Sequence, residues 1–302
     1  THPPHPRAPR SPAPHTETHQ QSETTMAIQT ILSAYSGSDS SEAALDFALF
    51  IREKYDAHLT GLLVHNFAAL DQYLRSLMPD DVRMSVKKAQ AQTIKDIEAT
   101  FKQSIASSSA PPERVHWISK SGEGDATVAQ YARLFDLTII GRFDAVHGED
   151  HEALHPDMIA MVSGRPVLLV PREFDKSTFN EHAVLAWDGK RASARALADA
   201  MQILKTKSLV TIVSIDEGKS EVQLSGIDVE TYLQRHGVKT ERVDLKTDGR
   251  SIGYRILEYI DQAQPKLLVM GAYEHSKFRQ SIVGGVTSKV LKKAKIPVLI
   301  SH

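Results

Sequence analysis

The chain of 302 residues contains no cysteine, which excludes disulfides, thiolate catalysis, Cys-ligated zinc and iron–sulfur clusters. It also lacks an excess of either charge: 36 Lys and Arg stand against 37 Asp and Glu, for a formal net charge of -1. A whole-surface electrostatic grip on nucleic acid or on an anionic membrane is therefore not expected. No apolar run approaches the ~18 residues of a membrane-spanning helix. There is no G-x-S-x-G elbow and no Walker A phosphate loop, so neither Ser-His-Asp chemistry nor a P-loop is expected. What remains is globular composition, 41% hydrophobic and 24% charged, at a length that suits two domains of ~100–200 residues.

Residues 1–25 stand apart. They hold six of the fourteen prolines and four of the fourteen histidines, and their only apolar side chains are Ala8 and Ala13. Such a segment cannot bury enough surface to offset the entropy of ordering it. It also lacks the apolar core of a secretory signal. It reads as a disordered extension, either translated ahead of the natural start at Met26 or added to it. Metal capture by His2, His5, His15 and His19 is the alternative, and their irregular spacing argues against it.

From Met26 onward, short apolar runs alternate with segments of helical period. Strands are expected at 31–35, 59–65, 114–119, 137–141 and 166–170, and again at 183–187, 209–215, 240–245, 267–270 and 297–300. Helices are expected at 40–55, about 68–106 and 125–135, then at 191–204, 229–236, 251–262 and 286–293. The runs Thr138-Ile-Ile140 and Leu267-Leu-Val-Met270 show no polar alternation. Strands of that kind are usually covered on both faces, as in a parallel sheet under helices. The fold class is therefore α/β, with two repeated doubly wound domains, each a five-stranded mostly parallel sheet with helices on both faces.

The duplication is also visible in the residues. Ala34-Tyr35-Ser36-Gly37 corresponds to Ala186-Trp187-Asp188-Gly189 at an offset of 152, and Pro166-Val-Leu-Leu to Pro297-Val-Leu-Ile at an offset of 131. Domains over 26–171 and 180–302 follow, with the boundary at 171–180. The two Pro-led strands, 166–170 and 297–300, read as edge strands.

Open α/β sheets bind ligands beyond the carboxyl ends of their strands, where strand order reverses. Three segments of the second half fall there. The first is Trp187-Asp188-Gly189-Lys190, where Asp188 either takes a ribose hydroxyl or caps the next helix. The second runs from Gly271 to Thr287 and includes Gly284 and Gly285. Glycines ahead of a helix leave backbone N–H groups free for an anion, although tight turns need glycine too. The third is Ser214-Ile215-Asp216, whose backbone suits a purine edge.

These residues resemble the universal stress protein family in its tandem form. The resemblance is carried by Leu268-Val-Met-Gly-Ala-Tyr-Glu-His-Ser-Lys-Phe-Arg, Gly284-Gly-Val-Thr and Ile296-Pro-Val-Leu-Ile-Ser-His302, with Ala186-Trp-Asp-Gly189 in support. It covers about residues 27–302. It implies a nucleotide-type pocket at Asp188, Gly189, Ile215, Gly271, Gly284, Gly285 and Thr287, with ATP or another adenine nucleotide as the cofactor. It also implies that the Pro-led strands pair the two halves with each other, giving a monomer or a homodimer. The family's ATP pattern is Gly, two residues, Gly, nine residues, Gly, then Ser or Thr. Here those positions are Gly271, Glu274, Gly284 and Gly285. Glu274 brings negative charge where a phosphate would approach; like unit charges ~4 Å apart repel by about 1 kcal/mol in water and by more in a dry site. Gly285 removes a hydroxyl, which Thr287 can replace from the next turn. Less phosphorylated or uncharged ligands are favoured over ATP. In the first half Ser36 replaces the aspartate and no Gly-rich helix start follows Gly141, so that half reads as degenerate for nucleotides: a scaffold, or a site for something different.

His151-Glu-Ala-Leu-His155 fits the H-E-x-x-H zinc hydrolase pattern, with His147 nearby. Pro156 follows directly and the flanks are acidic, which favours a polar loop. His65, His116 and His275 read as ordinary core or surface residues. Lys292, Lys293 and Lys295 suit the carboxyl end of a helix rather than nucleic acid. The expectation is a soluble, cytoplasmic, non-enzymatic stress-response protein with a small-molecule or nucleotide-like ligand in its second half, no catalytic residues and no metal. The alternatives are an adenine-nucleotide hydrolase at the same pocket and, remotely, a zinc hydrolase.

Overall fold

Strands that are apolar on both faces need cover on both faces, and that requirement organises the molecule. In a computed structural model of the chain, the described residues are 28–67, 72, 78–143, 153–215, 226–272 and 285–302. The first half runs β1 (Thr30–Ala34), α1 (Asp39–Tyr55), β2 (His58–His65), α2 (Asp80–Ala106), β3 (Val115–Ser121), α3 (Gly124–Ala132), β4 (Leu137–Gly141), α4 (Pro156–Ser163) and β5 (Val167–Val170). The second runs β6 (His182–Ala186), α5 (Arg191–Leu204), β7 (Leu209–Ile215), α6 (Val229–Arg235), β8 (Thr240–Leu245), α7 (Ile252–Ala263), β9 (Leu267–Gly271), α8 (Val286–Lys293) and β10 (Val298–Ser301).

The strands form one sheet in the order β3-β2-β1-β4-β5-β10-β9-β6-β7-β8. Each half contributes five parallel strands in matching order, first strand central, with the order reversing between β1 and β4 and between β6 and β9. The halves are therefore not two separate sheets. They meet at the antiparallel pair β5–β10, where Leu168 faces Leu299, Leu169 faces Val298 and Val167 faces Ile300. This pairing gives backbone partners to two short strands whose side chains are buried on both faces.

Successive side chains enter opposite cores. Leu168, Val170 and Leu299 pack with α1, Phe101 of α2, α5 and α6 on one face. Val167, Leu169, Val298 and Ile300 pack with α3, α4, α7 and α8 on the other. Both cores draw residues from both halves.

Local chemistry sets the helix ends. Ser38 caps α1 by accepting the Ser41 N–H at 3.3 Å. Asp39 and Glu42 lie in the first turn and Arg52 and Lys54 in the last, as the helix dipole favours. The long helix expected from residue 68 is interrupted: α2 starts only at Asp80, with Pro79 as its N-cap. A proline disfavours helical geometry in the residue before it, here Met78. Only Phe101 of α2 is buried. Its ring lies where a Cβ on Gly61 would come within 2.5 Å, so β2 needs glycine at that position. Residues 171–181, between β5 and β6, carry Phe174 and Phe179, which pack on Phe47 of α1 with ring centroids 5.9 and 4.9 Å apart.

Candidate functional site

The carboxyl ends of β6, β7 and β9 lie side by side at the second strand-order reversal, because Ala186 is in register with Val213 and with Met270. Asp188 and Gly189 follow β6, Ile215 ends β7 and Gly271 ends β9, so four of the expected site residues converge on one end of the sheet. Gly189 has a φ of +69°, a left-handed turn that a side chain would strain. Asp188 does not cap α5. Its Oδ1 accepts the Lys190 N–H at 3.1 Å in an Asx turn, and Lys190 is itself the N-cap residue. Ser193 Oγ accepts the same N–H at 3.2 Å and donates to the Lys190 carbonyl at 2.9 Å.

Gly271 has a packing role that the sequence did not reveal. A Cβ there would come within 2.6 Å of the Ala192 carbonyl carbon and the Ser193 nitrogen, so the first turn of α5 lies directly on this residue. Gly141 at the end of β4 does the same for α1, where a Cβ would come within 2.1 Å of the Ser40 oxygen. Ile215 is buried in the core facing α7 and α8. Gly285 is the extended N-cap of α8, and Thr287 in the first turn is buried, not laid open beside the helix start. Gly284 and Glu274 lie outside the described residues.

The chain's last residue also belongs to this end of the sheet. Arg191 Nη2 lies 3.1 Å from His302 Nε2, and a guanidinium can only donate. His302 Nε2 therefore accepts, and Nδ1 donates to the Ala272 carbonyl at 2.7 Å. This relay ties the start of α5 to the end of β9. Nothing in the local sequence pattern marks it.

In the first half, the equivalent reversal between β1 and β4 holds a cavity of about 100 Å³, bordered by Ser36, Ser40, Ser41, His65 and Asn66 among others. The hydroxyls form a chain: Ser36 Oγ to Ser38 Oγ is 2.9 Å and Ser38 Oγ to Ser40 Oγ is 3.2 Å. His65 stacks on Phe67 with ring centroids 4.9 Å apart, and its Nδ1 is buried without a hydrogen-bond partner among the described residues. Burial pushes the His65 pKa below its usual value. The Tyr35 phenol is held protonated, first by burial and then by Glu42, to which its hydroxyl donates. The sequence signal here is Ser36, which reads as loss of an aspartate.

Of the H-E-x-x-H motif only residues 153–155 are described. Residues 153–155 are not helical, and His155 is the N-cap of α4 rather than a residue within a helix. Its backbone N–H and its Nδ1 both go to Asp125, each at 2.8 Å. His151 and His147 lie outside the described residues. Among the described residues no group of three or more His, Cys, Asp or Glu side chains is placed to hold a metal. Among them also, no helix is long and apolar enough to cross a membrane.

A twofold repeat of a doubly wound α/β unit, with a strand-order reversal in each half, defines the class. The sequence pattern of the Universal stress protein family matches residues 27–145 and 180–302, and the chain belongs to that family. It is 24% identical to the universal stress protein Slr1230 of a Synechocystis species, over 90% of this chain and 99% of the relative. Among solved structures it is similar to a universal stress protein of Archaeoglobus fulgidus, with 16% identity and a TM-score of 0.64, over 90% of this chain and 98% of that one. A functionally unknown protein of Pseudomonas aeruginosa has a TM-score of 0.54 at 14% identity, over 91% and 92% of the two chains. At these identities the structures support the fold alone.

Proposed function

We propose that this protein is a cytoplasmic, non-enzymatic stress-response protein that binds a nucleotide-like small molecule in its second half. The ligand lies between Asp188 and the segment 271–287, with the backbone at Ile215 against its base. The observation that carries this reading is the turn at Asp188. A carboxylate stands at the strand-order reversal, oriented by the Lys190 N–H and left only partly buried. A carboxylate so placed suits a ribose diol. Gly285 at the start of α8 leaves that helix end open to a phosphate or another polar group. Glu274, by its charge, favours adenosine or a monophosphate over ATP.

The test is calorimetric titration of the full chain with adenosine, AMP and ATP. Adenosine or AMP should bind more tightly than ATP. Asp188→Ala should weaken binding roughly ten- to hundredfold, because a hydrogen bond to a charged group contributes about 1.5–3 kcal/mol. Equal affinity in the variant would remove Asp188 from the site. Turnover of ATP by the wild-type protein would favour the hydrolase alternative.

A further inference from the structure

We propose that the first half carries a metal site on its outer strands: His58 and His116, which face each other nitrogen to nitrogen, take copper(I) as a linear, two-coordinate ion. This goes beyond the nucleotide reading of the second half and does not depend on it.

The register of the sheet builds the pair. On β2 and β3, Leu59 is opposite Val115 and Thr60 is opposite His116. Leu59, Val115 and Trp117 turn into the core that holds α1. His58 and His116 therefore fall on the other face, where they are diagonal neighbours within reach of each other. His58 is half-buried and His116 is exposed. β3 is the outermost strand, with β2 as its one strand neighbour among the described residues.

The rings meet head on. His58 Nδ1 lies 3.2 Å from His116 Nε2. The ring planes differ by 11° and the centroids are 5.5 Å apart. That separation equals the nitrogen gap plus the radii of two five-membered rings. The imidazoles thus lie edge to edge in nearly one plane, and the two nitrogens point at each other. In the neutral pair one of these nitrogens carries a proton and the other accepts it. A cation can take the place of that proton without net proton release. The donating ring moves its proton to its other nitrogen, and both facing lone pairs become free.

Coordination number selects the metal. Zinc sites take three or four ligands from the protein, arranged tetrahedrally. Among the described residues no third His, Asp or Glu joins the pair. At metal–nitrogen distances of about 2.0–2.1 Å, a tetrahedral ion needs each ring swung by about 35° off the common line, whereas a linear ion needs the rings to part by about 0.9 Å. His116 is exposed on an edge strand, where such a shift meets little packing. Ligand type and geometry, more than raw affinity, decide which metal a site holds. Copper(I) has a filled d shell and is satisfied by two nitrogens in line. Arg114, the nearest cation along the chain, is held by Asp56 at 2.9 Å.

Silver(I) has the same charge and geometry and is stable to air, so it serves as the probe. The experiment is nitrogen-15 NMR of the imidazoles in the full chain, titrated with silver(I) in chloride-free buffer and separately with zinc. His58→Gln and His116→Gln assign the two rings. The His58 Nδ1 and His116 Nε2 signals should move together and saturate together. Zinc should require roughly tenfold more metal, or a larger excess, to move them. His116→Gln, at an exposed position, should weaken silver binding at His58 roughly tenfold or more, and His58→Gln should do the same at His116. Copper(I) added without oxygen should reproduce the paired shift. His2, His5, His15 and His19 give their own signals, so binding to residues 1–25 is read separately. The proposal falls if one ring responds without the other, or if zinc saturates the pair at the same concentration as silver. It falls equally if either variant leaves the remaining ring's response unchanged, or if silver binds residues 1–25 while the pair stays unmoved.

Discussion

At the scale of single residues, the least ordinary group is Lys207, which is 7% exposed. Its Nζ donates to the Phe179 carbonyl and sits 3.3 Å from the centroid of the Phe179 ring. Burial, with the neighbouring Lys54 adding repulsion, pushes its pKa down to about 6. Lys54 donates to Asn180 and Thr206, and burial pushes its pKa down to about 8. A lysine in the unfolded chain titrates near ~10.4. Between about pH 6 and pH 10 the unfolded state therefore binds more protons than the folded state. Stability must rise with pH across that window, and below pH 6 the full cost of the buried charge is felt. Urea midpoints measured at pH 6, 7.5 and 9 should climb in the wild-type protein. Lys207→Met should reduce the slope across the whole window, and slightly more between pH 7.5 and 9 than between pH 6 and 7.5, where the folded-state lysine is still partly protonated. An unchanged slope would show that Lys207 keeps its charge in place, held by the carbonyl and the ring.

At the scale of elements, strand positions were legible and helix roles were less so. The expected strands at 137–141 and 209–215 match β4 and β7 end for end, because a strand buried on both faces leaves an apolar run bounded by polar turns; 240–245 matches β8, an edge strand whose Val243 and Leu245 alternate with charged residues. The start of α2 differs from the expectation: Ala, Leu and Gln before Pro79 and Gln, Lys and Ala after it all suit a helix, and periodicity alone does not locate a break. The packing role of Gly271 is hidden for a related reason. A glycine that admits a helix and a glycine that admits a phosphate leave the same letter in the sequence. Ser36 reads as loss of the first-half aspartate, and that substitution alone does not show the hydroxyl chain from Ser36 through Ser38 to Ser40. Anchoring of α2 is also hidden, since it depends on contacts between distant segments: Ile97 and Ile105 pack against the core and Ser104 Oγ donates to Glu42 Oε2 at 3.0 Å, but only Phe101 is buried. Phe101 meets Gly61 on β2, and its ring centroid lies 5.3 Å from Tyr35 and 4.8 Å from Trp117. Truncating a buried Phe costs about 3–5 kcal/mol. Phe101→Ala should lower stability by that order and speed hydrogen exchange throughout 80–106 more than in α1. Uniform loss of protection across both helices would mean that α2 has anchors beyond Phe101.

At the scale of the whole molecule, the repeat and the sheet lead to different expectations. Two domains with their own folds would unfold independently, whereas a sheet continuous through β5–β10 resists that. Leu168 and Leu299 face each other across the junction, both fully buried and both in the core that also holds α1 and α5. On the same face Tyr55 donates to the Gln202 carbonyl at 3.0 Å, joining the ends of the equivalent helices α1 and α5. On the other side of the junction Arg142 reaches Ala294. We therefore propose that the chain is a self-paired monomer that unfolds as one cooperative unit. The sequence supplies the probes: its two tryptophans fall one in each half, Trp117 on β3 and Trp187 after β6. With Trp187→Phe, denaturation followed by fluorescence reports the first half, and with Trp117→Phe it reports the second. Each variant is followed by circular dichroism as well, so that the destabilisation caused by losing a tryptophan is measured within the same protein. In each variant the fluorescence and dichroism midpoints should coincide, and light scattering should give the mass of one chain. Leu299→Ala should then lower both midpoints together, by about 2–5 kcal/mol in unfolding free energy, because its side chain is common to the core of both halves. If the Trp117 signal holds while the Trp187 signal moves, the β5–β10 ladder does not couple the halves and the chain behaves as two domains that merely touch.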